Sequence, residues 1–337
     1  MLTFCKLIDI IINMQNESLF VQKRILTGMA LFGGLALVLL ARELTVYIFD
    51  AFLLVILYFA VFEVMRATKA KEGGIKHYYV YVYLACAYIM FFVGTILDAP
   101  FGVWAHIVAQ LAVLFVFVIY TFFMYYVDTT FIKQCKLKKV KVGTASWRIV
   151  LKYLKIIAYP AALIYAFFGL NHFAAALPEE FSSINIGLFG LLLVFVIAAS
   201  SDTCAYVVGS LLKGPKLCPK ISPGKTWSGA VAGLFGGVLG TLVLVLIFST
   251  DPVFGDFFLA KGINATLGLV VFIFVGLLGS VVAQAAGIFA SKIKRKYKIN
   301  EYGKLLPGHG GVMDRVDGQI ACAVYVFLVL SIICFIL

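Results

Sequence analysis

Charge is what this sequence has least of. Only 13% of its 337 residues are Asp, Glu, Lys or Arg, against roughly 25% in an ordinary soluble domain. With 63% hydrophobic residues, the chain carries more apolar surface than a soluble core can absorb. Cysteine offers no ligand pattern: the seven are scattered without a CxxC, most of them in or beside apolar runs, and read as small hydrophobes. Internal repeats and low-complexity linkers are absent. The first 24 residues hold no small-residue cleavage site after an adequate apolar stretch, so no signal peptide is expected there, and Met14 is an alternative start.

What is present is a series of long apolar runs. A membrane span needs about 20 mostly apolar residues. Nine segments qualify, at 25–41, 44–65, 78–97, 103–126, 156–171, 184–200, 229–249, 266–290 and 319–337. Arg42 and Glu43 alone separate the first two, which predicts a tight helical hairpin. A net charge of +12 would suggest a nucleic-acid partner in a soluble protein, but here the placement of the basic residues explains it. With nine spans, 26 of the 28 Lys and Arg fall on one side, leaving only Arg42 and Lys261 on the other. The positive-inside rule then puts the N-terminus in the cytoplasm and the C-terminus outside. The expectation is an all-α polytopic membrane protein of about nine transmembrane helices, with no nucleic-acid partner. Gly229, Gly233, Gly236, Gly237 and Gly240 fall in one span and predict close helix packing rather than phosphate binding.

Polar chemistry concentrates in two stretches assigned to the cytoplasmic side. The first runs from Ser200-Ser201-Asp202-Thr203 to Ser222-Pro223-Gly224-Lys225-Thr226. An Asp at the end of an apolar run is costly to desolvate and is a functional candidate, although it can also mark the membrane boundary. The Gly-Lys-Thr ending is no P-loop, because Pro219 stands where the first glycine belongs. Lys225 can instead present a point charge to phosphate from an irregular Pro/Gly turn. The second stretch, Leu306 to Gly318, packs His309, Gly310, Gly311, Asp314, Arg315 and Asp317 beside a span. On a helix Asp314 and Asp317 share a face, an arrangement suited to Mg²⁺ and its phosphate ligands. Elsewhere few polar groups sit mid-span apart from Asp50 and Gln284. That argues against a transporter or scaffold.

These stretches resemble the phosphatidate cytidylyltransferase (CDP-diacylglycerol synthase) family. Its signature begins with a serine and a Lys-Arg pair and ends in H-G-G-[apolar]-x-D-R-[apolar]-D. Ser291, Ile293, Lys294, Arg295, Gly303, Leu306, Pro307, His309, Gly310, Gly311, Val312, Asp314, Arg315, Val316 and Asp317 match in register. Upstream, Asp202-Thr203 and Ser222 to Thr226 fit the family's D-T-x-A-Y and P-K-x-S-P-x-K-T patterns. The resemblance implies transfer of the cytidylyl group of CTP to phosphatidate, giving CDP-diacylglycerol and pyrophosphate in phospholipid biosynthesis, with Mg²⁺. It implies a plasma-membrane protein with its site at the cytoplasmic face, contacts with membrane lipid, and a homodimer as a further partner state.

The implied metal ligands are Asp314 and Asp317. Asp202, Lys225, Lys294, Arg295, His309, Arg315 and Asp317 are the implied catalytic set, and Ser222, Thr226, Ser291, Gly310 and Gly311 bind substrate. The organisation that follows is a cytoplasmic tail (1–24), N-terminal transmembrane helices (25–183) and a C-terminal catalytic region (184–337) with motifs at 200–228 and 287–318. Two positions depart from the family. Its Lys-Asp pair is Asn300-Glu301 here, and the acidic position expected to partner Asp314 at the metal is Gly287. A glycine supplies no carboxylate, so a second reading is a catalytically weakened homologue that binds CTP or phosphatidate.

Overall fold

The computed structural model describes residues 26–72, 164–172, 186–250, 264–308 and 310–335, together with a few isolated positions. It is mostly helical. Helix α1 spans Leu26–Ala41 and α2 spans Val46–Glu72. They are followed by α3 (Ile186–Leu212), α4 (Trp227–Phe248), α5 (Ala265–Lys296) and α6 (Met313–Phe335). Five of these, α2 to α6, are long and apolar enough to cross a membrane, while α1 is shorter. Expected span 103–126, all but isolated positions of 78–97 and the first half of 156–171 lie outside the described residues, as does the basic segment 127–155.

One feature differs from a purely helical expectation, and one helix is longer than its apolar run. The segment expected as an irregular turn is a β-hairpin, with β1 (Lys216–Cys218) paired antiparallel to β2 (Ser222–Thr226). Extended backbone is what a residue before proline prefers, and Pro219 and Pro223 bias this stretch away from helix. Asp202, in turn, does not end its helix: α3 continues ten residues beyond it to Leu212. No Pro or Gly follows Asp202 until Gly209, so nothing in the local sequence stops the helix there.

The described residues group into two compact units. The first comprises residues 1–73 and 289–317, the second 74–288 and 318–337. In the first, Phe49, Leu53, Leu57, Ala60 and Val61 of α2 are buried, together with Tyr302 and Met313. The connection between α1 and α2 is confined to 42–45, where the Arg42 and Glu43 amides still bond back to the last turn of α1.

In the second unit, α4 packs along α3 on one side and meets α5 on the other. Its glycines make this possible. A Cβ at Gly236 would lie 2.7 Å from the Ser200 carbonyl, and one at Gly240 2.7 Å from Ser200 Oγ. Towards α5, a Cβ at Gly237 would stand 3.2 Å from the Gly276 carbonyl. Helix association in lipid gains little from hydrophobicity and depends on such close approach. Gln284 adds a polar tie, its amide donating to Ser201 Oγ (3.3 Å) on α3 and to the Ala230 carbonyl (3.2 Å) on α4. Phe189 anchors the other end, edge-on to Phe248, Phe254 and Phe272 at 5.0, 5.0 and 5.6 Å. The outward face of α4 carries Phe235, Leu239, Val243 and Leu246, all exposed. Such a stripe suits lipid rather than water.

Candidate active site

In the second unit the hairpin, α3, the start of α4 and Gln284 of α5 enclose a cavity of about 630 Å³. Asp202, Tyr206, Lys213, Lys216, Ser222 and Lys225 are among the residues that line it. Thr226 also borders the cavity, but its hydroxyl serves the fold, N-capping α4 by accepting from the Gly229 amide at 3.1 Å. The cavity therefore combines three ammonium groups with the N-terminal, partially positive end of a helix. Anionic ligands are the ones such a wall attracts. The Lys225 ammonium donates to the Gln284 carbonyl at 3.3 Å. It also stands 3.0 Å from the point where a Cβ on Gly287 would be, so the absent side chain leaves a niche that the ammonium approaches.

The first unit holds the other sequence-predicted residues. Lys294 lies in the last turn of α5, and its ammonium bridges Asp314 Oδ1 at 2.9 Å and Asp317 Oδ2 at 3.9 Å. Asp314 and Asp317 do share a helix face, because α6 begins at Met313. Asp314 also organises the preceding loop, its Oδ2 accepting from the Tyr302 amide (2.8 Å) and the Gly311 amide (3.1 Å). Lys294 stands over the Tyr302 ring, 5.6 Å from its centroid. Burial, and then the carboxylates of Asp317 and Asp314, push the Tyr302 phenol well above its ordinary range, so it stays neutral. Arg295 is exposed and donates to the Asn300 side chain and to the Ile299 carbonyl (3.3 Å). Arg315 is exposed on α6, and Ser291 lies half-buried on α5. His309 lies outside the described residues.

The glycines of this loop have local reasons to be glycines. Gly310 adopts φ +83°, a left-handed conformation that L side chains rarely take. Gly303 and Gly311 both back onto the carboxylate of Glu63 on α2, with which any Cβ at either position would collide. Glu63 is buried, and its Oε2 accepts from the Met313 amide at 2.9 Å. Sequence reading passed over this residue and counted only Asp50 and Gln284 as mid-span polar groups. Its signal was present nonetheless, in an acid four residues before the end of the apolar segment Val46–Ala67.

The fit of a divalent cation follows from the donor geometry. Asp314 and Asp317 converge on one cationic point, the Lys294 ammonium. Among the described residues no three His, Cys, Asp or Glu side chains gather at metal-binding spacing. The donors fit a Mg²⁺ carried by one or two carboxylates and completed by water and phosphate oxygens, not an all-protein cage.

Five membrane-capable helices make this a multi-pass membrane protein, with a lysine-lined cavity in one unit and a paired-carboxylate helix start in the other. Residues 22–333 match the Cytidylyltransferase family model, so the chain belongs to that family. It is 36% identical over 171 residues to a phosphatidate cytidylyltransferase of Brucella suis, covering 50% of this chain and 56% of that protein. A phosphatidate cytidylyltransferase of Rickettsia conorii is 38% identical over 138 residues, 41% of this chain and 56% of the relative. The one of Rickettsia bellii is 36% identical over 151 residues, 44% of this chain and 60% of its own. The matched segments thus span little more than half of these curated relatives.

Proposed function

We propose that this protein transfers the cytidylyl group of CTP to phosphatidate, forming CDP-diacylglycerol and pyrophosphate. The observation that carries this reading is the lysine-lined cavity bounded by the hairpin and the start of α4, in a chain of the Cytidylyltransferase family. A phosphatidate phosphate oxygen attacks the α-phosphorus of CTP, the bond from that phosphorus to the bridging oxygen breaks, and pyrophosphate leaves. Both reactants are anionic, so positive charge has to offset their repulsion and stabilise the departing group. In this reading Lys225, Ser222 and Thr226 meet the triphosphate, Thr226 also capping α4, and Asp202 lines the same cavity.

Asp314 and Asp317 would hold Mg²⁺, which when bound supplies charge neutralisation for phosphate oxygens. Lys294 and Arg295 serve lipid or nucleotide phosphate, Arg315 adds charge beside the carboxylates, and His309 shapes its loop or donates to phosphate. The reacting groups would lie within 184–337, with Ser291, Gly310 and Gly311 framing the substrate. The chain would act in the plasma membrane, as a homodimer.

The test is pyrophosphate release by purified protein in phosphatidate-containing micelles. Release should require CTP, phosphatidate and Mg²⁺ together; release indifferent to phosphatidate would sink the proposal. A second reading, a homologue that binds without efficient turnover, is favoured by Gly287, where a Lys225 ammonium stands instead of a carboxylate. CTP binding with no product would select it.

We further propose nine spans with a cytoplasmic N-terminus, on the ground of the 26-to-2 basic asymmetry. A cytoplasm-only reporter inserted in 127–147 should be active, and one fused after Leu337 silent. The opposite pattern would overturn both the orientation and the cytoplasmic placement of the site.

A further inference from the structure

We infer that Glu63 is a positioning residue, a buried carboxylate of α2 that clamps the Gly311–Met313 turn and thereby sets the orientation of Asp314. The inference rests on the cytidylyltransferase reading above for the meaning of Asp314, and on contacts within the first unit for everything else.

Burying a carboxylate inside an apolar segment is expensive unless hydrogen bonds offset the cost. Glu63 is only 5% exposed. Its Oε2 has one bond, from the Met313 amide at 2.9 Å, while its Oε1 is buried with no hydrogen-bond partner among the described residues. A leucine there would cost nothing in desolvation, so the cost of the acid has to be offset by what it holds. What it holds is the first turn of α6. Met313 opens that helix, and its amide is one of the orphan donors that every helix start leaves unsatisfied. A negative charge at this end also opposes the helix dipole favourably.

The clamp reaches Asp314 in one step. Gly311 is pressed between two carboxylates: its Cα faces Glu63, leaving no room for a side chain, and its amide donates to Asp314 Oδ2 at 3.1 Å. Gly303 is pinned by the same Glu63 carboxylate, and its neighbour Tyr302 donates its amide to Asp314 Oδ2 at 2.8 Å. Both strands of the loop that grips Asp314 are thus braced from behind by one side chain. Removing the brace lets the 302–313 loop relax and turns Asp314 away from its working direction.

Two substitutions of Glu63 and a double-mutant cycle with Gly311, all in detergent, decide the matter. Glu63→Gln keeps the volume and an oxygen that accepts from Met313, so kcat should stay within about threefold of the wild type. Glu63→Leu loses the acceptor, and kcat should fall by about a hundredfold, the scale of an ångström-sized misplacement, with KM for CTP changed less than about threefold. A helix cap that mattered only for stability would lower the melting temperature and leave kcat of the folded fraction intact. The cycle measures the contact without any catalysis. Gly311→Ala should lower the melting temperature by colliding with Glu63, and the same substitution made in a Glu63→Ala background should cost at most about half as much, because contacting residues are not additive.

Melting shifts that simply add would overturn the clamp, even if Glu63→Leu failed to fold. Full kcat in folded Glu63→Leu would overturn the positioning role. A wild type that forms no CDP-diacylglycerol overturns the reading of Asp314 instead, and the melting cycle still reports on the clamp.

Discussion

Asp314→Asn should lower CDP-diacylglycerol formation by at least about a hundredfold, the upper range for a disturbed metal site, while the purified protein remains folded. The geometry separates the two effects. An asparagine side chain preserves shape, and its carbonyl oxygen can still accept from the amides of Tyr302 and Gly311, now held at 2.8 and 3.1 Å. The loop therefore keeps its anchor. What disappears is the negative charge on the oxygen 2.9 Å from the Lys294 ammonium. An amide NH₂ in that place repels the ammonium and offers nothing to a divalent cation. Asp317, 3.9 Å from the same ammonium, keeps Lys294 from being left wholly uncompensated, so the stability loss stays modest, on the order of 1–3 kcal/mol. The checks are product formation by the purified variant and its melting temperature beside the wild type. Near-normal product would remove Asp314 from the metal site, and loss of folding would make it a structural residue first.

Gly287→Asp should lower the Mg²⁺ concentration for half-maximal activity by about tenfold, the low end for restoring one ligand or its support, and should raise activity at limiting Mg²⁺. The substitution is sterically mild. Among the described residues, the Lys225 ammonium is the atom found near a Cβ at 287, 3.0 Å away at the end of a flexible chain that can give way. A helical glycine is also replaced by a residue with somewhat better propensity. The new carboxylate would pair with Lys225, adding a negative charge beside it to a cavity wall that also carries Asp202. If the wild type already saturates at low Mg²⁺ and the variant does not differ from it, Gly287 is only a packing position. A variant that binds CTP less tightly with unchanged Mg²⁺ dependence would mean that the ammonium of Lys225 is itself the working group.

The five apolar helices α2 to α6 were legible as the expected spans 44–65, 184–200, 229–249, 266–290 and 319–337, because a bilayer sorts residues by composition and composition needs no partner to be read. The helix carrying Ser291, Lys294 and Arg295 continues from its span as its apolar run suggested, and Asp314 and Asp317 fall on one helical face three residues apart. The glycine run of α4 was readable for a similar reason: small residues at helical spacing have one common use in lipid, and Gly236, Gly237 and Gly240 serve it.

Other features needed the tertiary structure. The hairpin of Lys216–Cys218 and Ser222–Thr226 is too short and too rich in Pro, Gly and Lys to show strand periodicity. Asp202 ends its apolar run in the sequence, but only the structure shows that its helix runs on to Leu212. Thr226 reads as a substrate ligand from its motif, but its hydroxyl caps α4, a role set by where the strand ends. Glu63 shows the limit most plainly. Its partners Gly303, Gly311 and Met313 lie some 240 to 250 positions along the chain, and a lone acid in an apolar helix carries no record of what it faces. Sequence alone determined that this chain is built for a membrane and carries a cytidylyltransferase signature. Which glycines in that signature bend the backbone, and which make room for a distant carboxylate, was decided only by folding, because a collision exists only once both residues are in place.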